Sequence, residues 1–258
     1  QVVSAIETIT RDALPLDSSR APVQLPSTSE QRWPVFVVEL PGFDGSFFHL
    51  RALDAWFDAL GIEHMHLEGA LSESSLSDVA ESTVPLLQPA LDSHARIVLL
   101  GYSAGCYTVE LLVQNLLSCG VEVHGVVLLD PAFRAETSIP DAGARLIATS
   151  VLDHVPVDLD AANLEKALVE VFPTYAARFD ATRNLSAAAQ SNSDPTEVTA
   201  DTQLETTVLM IISTEHHEVM SAFTGGPKAE AEWTHRLPHA SVVHVKSDHL
   251  TIPYTAET

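Results

Sequence analysis

A chain of 258 residues, 46% of them apolar, is long enough for one α/β domain with a sizeable core. Thirteen Lys and Arg against 35 Asp and Glu give a net charge of −22, which argues against nucleic acid and anionic membrane surfaces as partners and reads as a solvated acidic surface. No apolar run approaches the roughly 18 residues of a membrane helix. The only two cysteines, Cys106 and Cys119, lie about 20 Å apart along one helix-like stretch, too far to bridge, so a reducing, cytoplasmic setting is expected.

Residues 1–33 look peripheral. They begin without Met or a charged-then-apolar leader, and Pro15 to Gln31 is rich in Ser, Pro and charge, so they read as an N-terminal linker or arm of a longer chain. The domain proper is expected over 34–258. Val35 to Leu40 is an apolar run broken only by Glu39, the pattern of a buried parallel strand. Phe47, Leu50, Leu53, Phe57 and Leu60 recur at helical spacing, and Ile62 to Leu67 reads as a second strand. Leu76 to Leu91 reads as a helix in which Pro85 and Pro89 predict a break or kink. A strand over 96–100, a helix over 106–118 and a strand over 121–129 follow. Residues 131 to about 203 break the rhythm with a helical pattern from Leu159 to Phe172 among Ala- and Ser-rich stretches, and at that length read as an inserted lid. The alternation resumes with a strand over 207–213, a helix near 228–237 and a strand over 241–245. This order predicts an α/β fold, a mostly parallel central sheet with helices on both faces.

The chemistry centres on Gly101-Tyr102-Ser103-Ala104-Gly105, which stands between a strand and a helix. G-x-S-x-G in that setting is the nucleophile elbow of the α/β-hydrolase fold: the turn lifts the serine hydroxyl to the sheet edge, and the next N–H, that of Ala104, faces a forming oxyanion. A serine nucleophile needs a base and an acid to orient it, in the chain order serine, acid, histidine. His249, in the loop after the last strand, suits the base, whereas His244 lies within the strand pattern and His239 before it. Two residues suit the acid equally on these grounds: Asp130, directly after the run ending at Leu129, and Glu215, after the strand 207–213. The turn after the first strand, Leu40-Pro41-Gly42-Phe43, suits the second oxyanion donor, with Phe43 supplying the N–H and Gly42 allowing close approach. Cys106 reads as a small packed residue. Leu164, Leu168, Val171 and Phe172 read as a channel lining or as the ordinary packing face of a helix. His64 and His66 alternate on a strand and His216-His217 are adjacent in a loop; with no Cys or carboxylate at ligand spacing, no metal site is expected, and no bound cofactor.

Four segments carry a resemblance. Val35 to Gly45, Val98 to Gly105, Val121 to Asp130 and Ser247-Asp248-His249-Leu250-Thr251 resemble the opening strand and glycine turn, the elbow, the acid-bearing strand and the histidine loop of the chain-terminating thioesterase domains of polyketide synthases and nonribosomal peptide synthetases. The likeness spans about 34–253 and is weakest across the lid; Cys106 and Tyr107 depart from the small residues common in that family. The resemblance implies Ser103, Asp130 and His249 as the catalytic set, with Glu215 as the alternative acid. It also implies a polyketide or peptide thioester, presented on the phosphopantetheine of an upstream carrier-protein domain, with release by hydrolysis or macrocyclisation. The competing readings are a free-standing type II thioesterase that clears blocked carriers, and a general carboxylester hydrolase or lipase. A non-catalytic binding module fits a complete serine, acid and histidine set poorly.

Overall fold

A computed structural model describes residues 34–40, 50–67, 76–132, 141–154, 162–170, 206–215 and 227–253, with isolated positions in 173–184. The elements run in the order β1 (Val35–Leu40), α1 (Arg51–Leu60), β2 (Glu63–His66), α2 (Leu76–Asp92), β3 (Arg96–Tyr102), α3 (Gly105–Ser118), β4 (Gly125–Leu129), α4 (Asp141–His154), β5 (Thr207–Ser213), α5 (Pro227–Arg236) and β6 (Ser241–Val245). The six strands form one sheet in the order β2-β1-β3-β4-β5-β6, and every neighbouring pair is parallel.

Strand side chains alternate between two cores because successive residues point to opposite faces. Val38, Leu40, Ile97, Leu99, Val126, Leu128, Met210 and Ile212 face α2, α3 and α5, meeting Leu87, Leu112 and Trp233. Val37, Val98, Leu100, Val127, Leu129 and Ile211 face α1, meeting Leu53 and Phe57, and Ile252 joins them from the last turn. Leu53 and Phe57 are fully buried, each contributing about 1.5–3 kcal/mol. Gly61, in the left-handed region at φ 67°, ends α1, and its amide donates to the Asp58 carbonyl.

Three elements differ from the sequence expectation. α2 stays helical through Pro85 and Pro89. The two prolines are four residues apart and both exposed, so the missing N–H groups fall on the solvent side, while Thr83, Leu87 and Ala90 are buried. β4 begins at Gly125 rather than 121, because pairing with β3 starts at Val98 opposite Gly125; Val121 and Val123 are buried ahead of it. Within residues 131–203, α4 has no counterpart in the sequence reading, and residues 162–170 are helical. Arg145 of α4 donates to Glu165 of that stretch at 3.3 Å. Leu164 and Leu168 are half-buried, whereas Val171, Phe172 and the N-terminal arm lie outside the described residues. Among the described residues, no helix is long and apolar enough to cross a membrane.

Candidate active site

β1 and β3 are neighbours although β2 lies between them in sequence, so the strand order reverses there. Crevices at the carboxyl ends of strands form at such points. Ser103 leaves β3 at that end, Asp130 leaves β4, and His249 follows β6.

The elbow is locally strained and locally held. Ser103 adopts φ 54°, a left-handed conformation that costs a non-glycine residue on the order of 1–2 kcal/mol. Its amide donates to the Leu129 carbonyl at 3.0 Å, and its carbonyl accepts from the Ala132 amide at 3.2 Å. Both bonds tie the turn to the end of β4. A Cβ on Gly101 would stand 2.8 Å from Val109 Cγ2 and 2.9 Å from the Cys106 backbone, so only glycine lets strand and helix approach this closely. Ala104 is the N-cap of α3, where amides are not spent on intrahelical bonds and the helix dipole favours negative charge.

Three side chains far apart in sequence meet above this turn. The Ser103 hydroxyl lies 3.0 Å from His249 Nε2. His249 Nδ1 lies 2.6 Å from Asp130 Oδ2. All three residues are buried. With Nδ1 protonated and donating to the carboxylate, Nε2 is free to accept the serine proton. Asp130 also sits at positive φ, 42°, and its amide donates to the Ile211 carbonyl at 2.7 Å. Glu215 is exposed; its amide donates to the Ser247 carbonyl at 2.8 Å, and it does not join the three. Phe43 and Gly42 lie outside the described residues.

Several partners of this cluster escaped the sequence reading. Ser213, at the end of β5, donates its amide to Asp130 Oδ1 and its hydroxyl to Oδ2, both at 2.8 Å. Tyr102 donates its hydroxyl to the His249 carbonyl at 2.7 Å and stacks on the imidazole with centroids 5.1 Å apart. Asp248 Oδ1 accepts the amides of Leu250 and Thr251, each at 2.9 Å, which folds the His249 loop as an aspartate-capped turn. The position of Tyr102 inside the elbow and of Asp248 beside the histidine were the available signals; Ser213 had none. Cys106 is buried with its thiol donating to the Gly101 carbonyl at 3.2 Å. Burial, with Asp130 nearby, pushes that thiol well above its ordinary pKa, so it is held as a neutral packed group. Cys119 is exposed, and neither cysteine is bridged.

A second polar cluster lies on the α1 face of the sheet. The fold brings Glu39 of β1 and Asp54 of α1 to His64 and His66 of β2, which corrects the premise that no carboxylate stands at ligand distance from those histidines. Burial raises the Glu39 carboxyl above its ordinary range. Its hydrogen bond raises His66 to about 9.

The sequence model of the alpha/beta hydrolase family matches residues 16–256. Among solved structures, the RedJ thioesterase from the prodiginine biosynthetic pathway in Streptomyces coelicolor is 16% identical, with 90% of this chain and 85% of that chain covered at a TM-score of 0.52. The wild-type Vlm2 thioesterase domain is 16% identical, with 86% and 89% covered at 0.49. MGS-MChE2, an α/β-hydrolase enzyme from the metagenome of lagoon sediments at Mar Chica, Morocco, is 15% identical, with 86% and 85% covered at 0.46. No curated protein matches the chain in sequence.

Proposed function

Since the chain belongs to the alpha/beta hydrolase family, we propose that it is a serine acyl-thioesterase that frees an acyl or peptidyl chain from the phosphopantetheine of a carrier protein. The contact chain Ser103–His249–Asp130, at 3.0 and 2.6 Å, carries the serine mechanism. The resemblance of four segments to assembly-line thioesterase domains supports the thioester substrate and the carrier partner. The setting is cytoplasmic, in keeping with two unbridged cysteines.

The proposed reaction uses these contacts in the following steps. Ser103 Oγ attacks the thioester carbonyl while His249 Nε2 takes its proton. Asp130 holds the Nδ1–H tautomer and stabilises the imidazolium, and Ser213 keeps the carboxylate in place. The tetrahedral oxyanion accepts the Ala104 amide, with Phe43 as the second donor; loss of one such donor costs about 100- to 1000-fold in rate. Collapse breaks the C–S bond, and the imidazolium protonates the departing thiolate. His249 then activates water, or a hydroxyl or amine of the acyl chain itself, to release an acid or a ring.

A fluorophosphonate should add its mass to the wild type and not to Ser103→Ala; labelling retained in the variant refutes the nucleophile. Turnover of an acyl-pantetheine thioester should exceed that of the matching p-nitrophenyl ester. The reverse order makes the protein a carboxylester hydrolase and removes the carrier partner.

A further inference from the structure

We propose that Glu39, Asp54, His64 and His66 form a structural site for a divalent transition-metal cation, zinc above all, that clamps α1 to the edge of the sheet. Each residue offers one ligand atom, and the four atoms lie within 4.8 Å of one another. Glu39 Oε1 is 2.9 Å from His64 Nδ1 and 3.4 Å from His66 Nε2. Asp54 Oδ1 is 3.8 Å from His64 Nδ1 and 3.0 Å from His66 Nε2. A tetrahedral zinc ion with bonds near 2.1 Å sets ligand atoms about 3.4 Å apart, so these separations bracket the required edge and small side-chain rotations close the site.

The donor chemistry selects the metal. Two imidazoles beside two carboxylates suit zinc and its neighbours, whereas calcium and magnesium take oxygen ligands. Two carboxylates neutralise a dication. Glu39 is fully buried, and its Oε2 has no hydrogen-bond partner among the described residues, which leaves one oxygen of a buried carboxyl without a donor. His64 carries an outer partner: its Nε2 lies 3.4 Å from Asp58 Oδ1, the carboxylate–histidine pairing that fixes the tautomer of a ligating imidazole. Asp54, His64 and His66 are half-buried, which leaves an entry path. Four protein ligands make a closed set, the mark of a structural rather than a catalytic site.

The mechanical role follows from placement. Among the described residues, β2 is a four-residue edge strand paired only with β1, Glu39 standing opposite His66 in register. Asp54 reaches the site from the buried flank of α1, between Leu53 and Phe57. One ion would join three elements.

The test uses purified protein stripped with chelator and titrated with Zn²⁺ by calorimetry, and with Co²⁺ by visible absorption, which reports a tetrahedral N/O site. The wild type should bind one Zn²⁺ per chain tightly, give the tetrahedral Co²⁺ spectrum and melt at a higher temperature with Zn²⁺ present. His66→Gln should weaken binding at least about 100-fold, and Asp58→Asn about 10-fold. Glu39→Gln, the gentler variant should His66→Gln fail to fold, should also lose the Co²⁺ spectrum. His244→Gln, at an exposed pair with Glu230, should change nothing. Equal Zn²⁺ affinity in the wild type and both ligand variants, or no stoichiometric binding by the wild type, overturns the site and leaves an ion-pair cluster. The readouts are independent of hydrolytic activity.

Discussion

Ser103 shows how much a single residue's backbone decides. Its left-handed φ is tolerated because β4 holds the turn on both sides, and Gly101 makes room for the helix that follows. Gly101→Ala should lower stability by about 1–3 kcal/mol through overpacking, read as a shift of the denaturant midpoint at unchanged slope. The choice of acid is also a residue-scale matter. Asp130→Asn should reduce kcat on the order of 10⁴-fold by favouring the wrong imidazole tautomer. Glu215→Gln, at an exposed position, should stay within about twofold. Steady-state kinetics on an acyl-thioester separate the two, and the opposite ranking would move the acid to residue 215.

At the scale of elements, the His249 loop is held by parts that are not adjacent in sequence. Asp248 folds the turn from within, and Tyr102 anchors it from β3 by a hydroxyl–carbonyl bond and a stacked ring. Tyr102→Phe keeps the stack and removes the bond, a loss of about 0.5–1.5 kcal/mol. Its thermal midpoint should fall and kcat should drop with KM nearly unchanged if the loop positions His249 as the proposed base rather than the substrate. A KM rise at constant kcat would assign Tyr102 to substrate binding instead. The strands were legible as elements because buried parallel strands read as continuous apolar runs, as Val126 to Leu129 does. The start of β4 was not, since pairing with β3 rather than hydrophobicity sets it. α2 reads as broken at its prolines until their exposed position is known. α4 is not legible in the sequence because residues 131–203 carry no strand rhythm to frame it.

For the whole molecule, the dominant electrostatic fact is a charge of −22. Self-repulsion of this size destabilises the compact state, and salt screens it with a Debye length of about 10 Å at 0.1 M. The thermal midpoint should rise as NaCl increases from about 10 mM to about 0.5 M. A flat or falling midpoint would show that ion pairs such as Arg236–Glu110 outweigh the repulsion.

The sequence by itself determined the α/β class, the strand-turn-helix around Ser103 and the placement of His249 after the last strand, because hydrophobic period and turn chemistry are local properties that survive in one dimension. It left Asp130 and Glu215 level, since both follow strands. Only the tertiary structure shows which of them reaches His249, because distance across a sheet depends on strand order, and β4 lies beside β3 while Glu215 turns outward beyond β5. Ser213 on Asp130, and Glu39 and Asp54 around His64 and His66, were invisible for the same reason. Residues ten or more apart on different elements become neighbours only when helix and strands pack together.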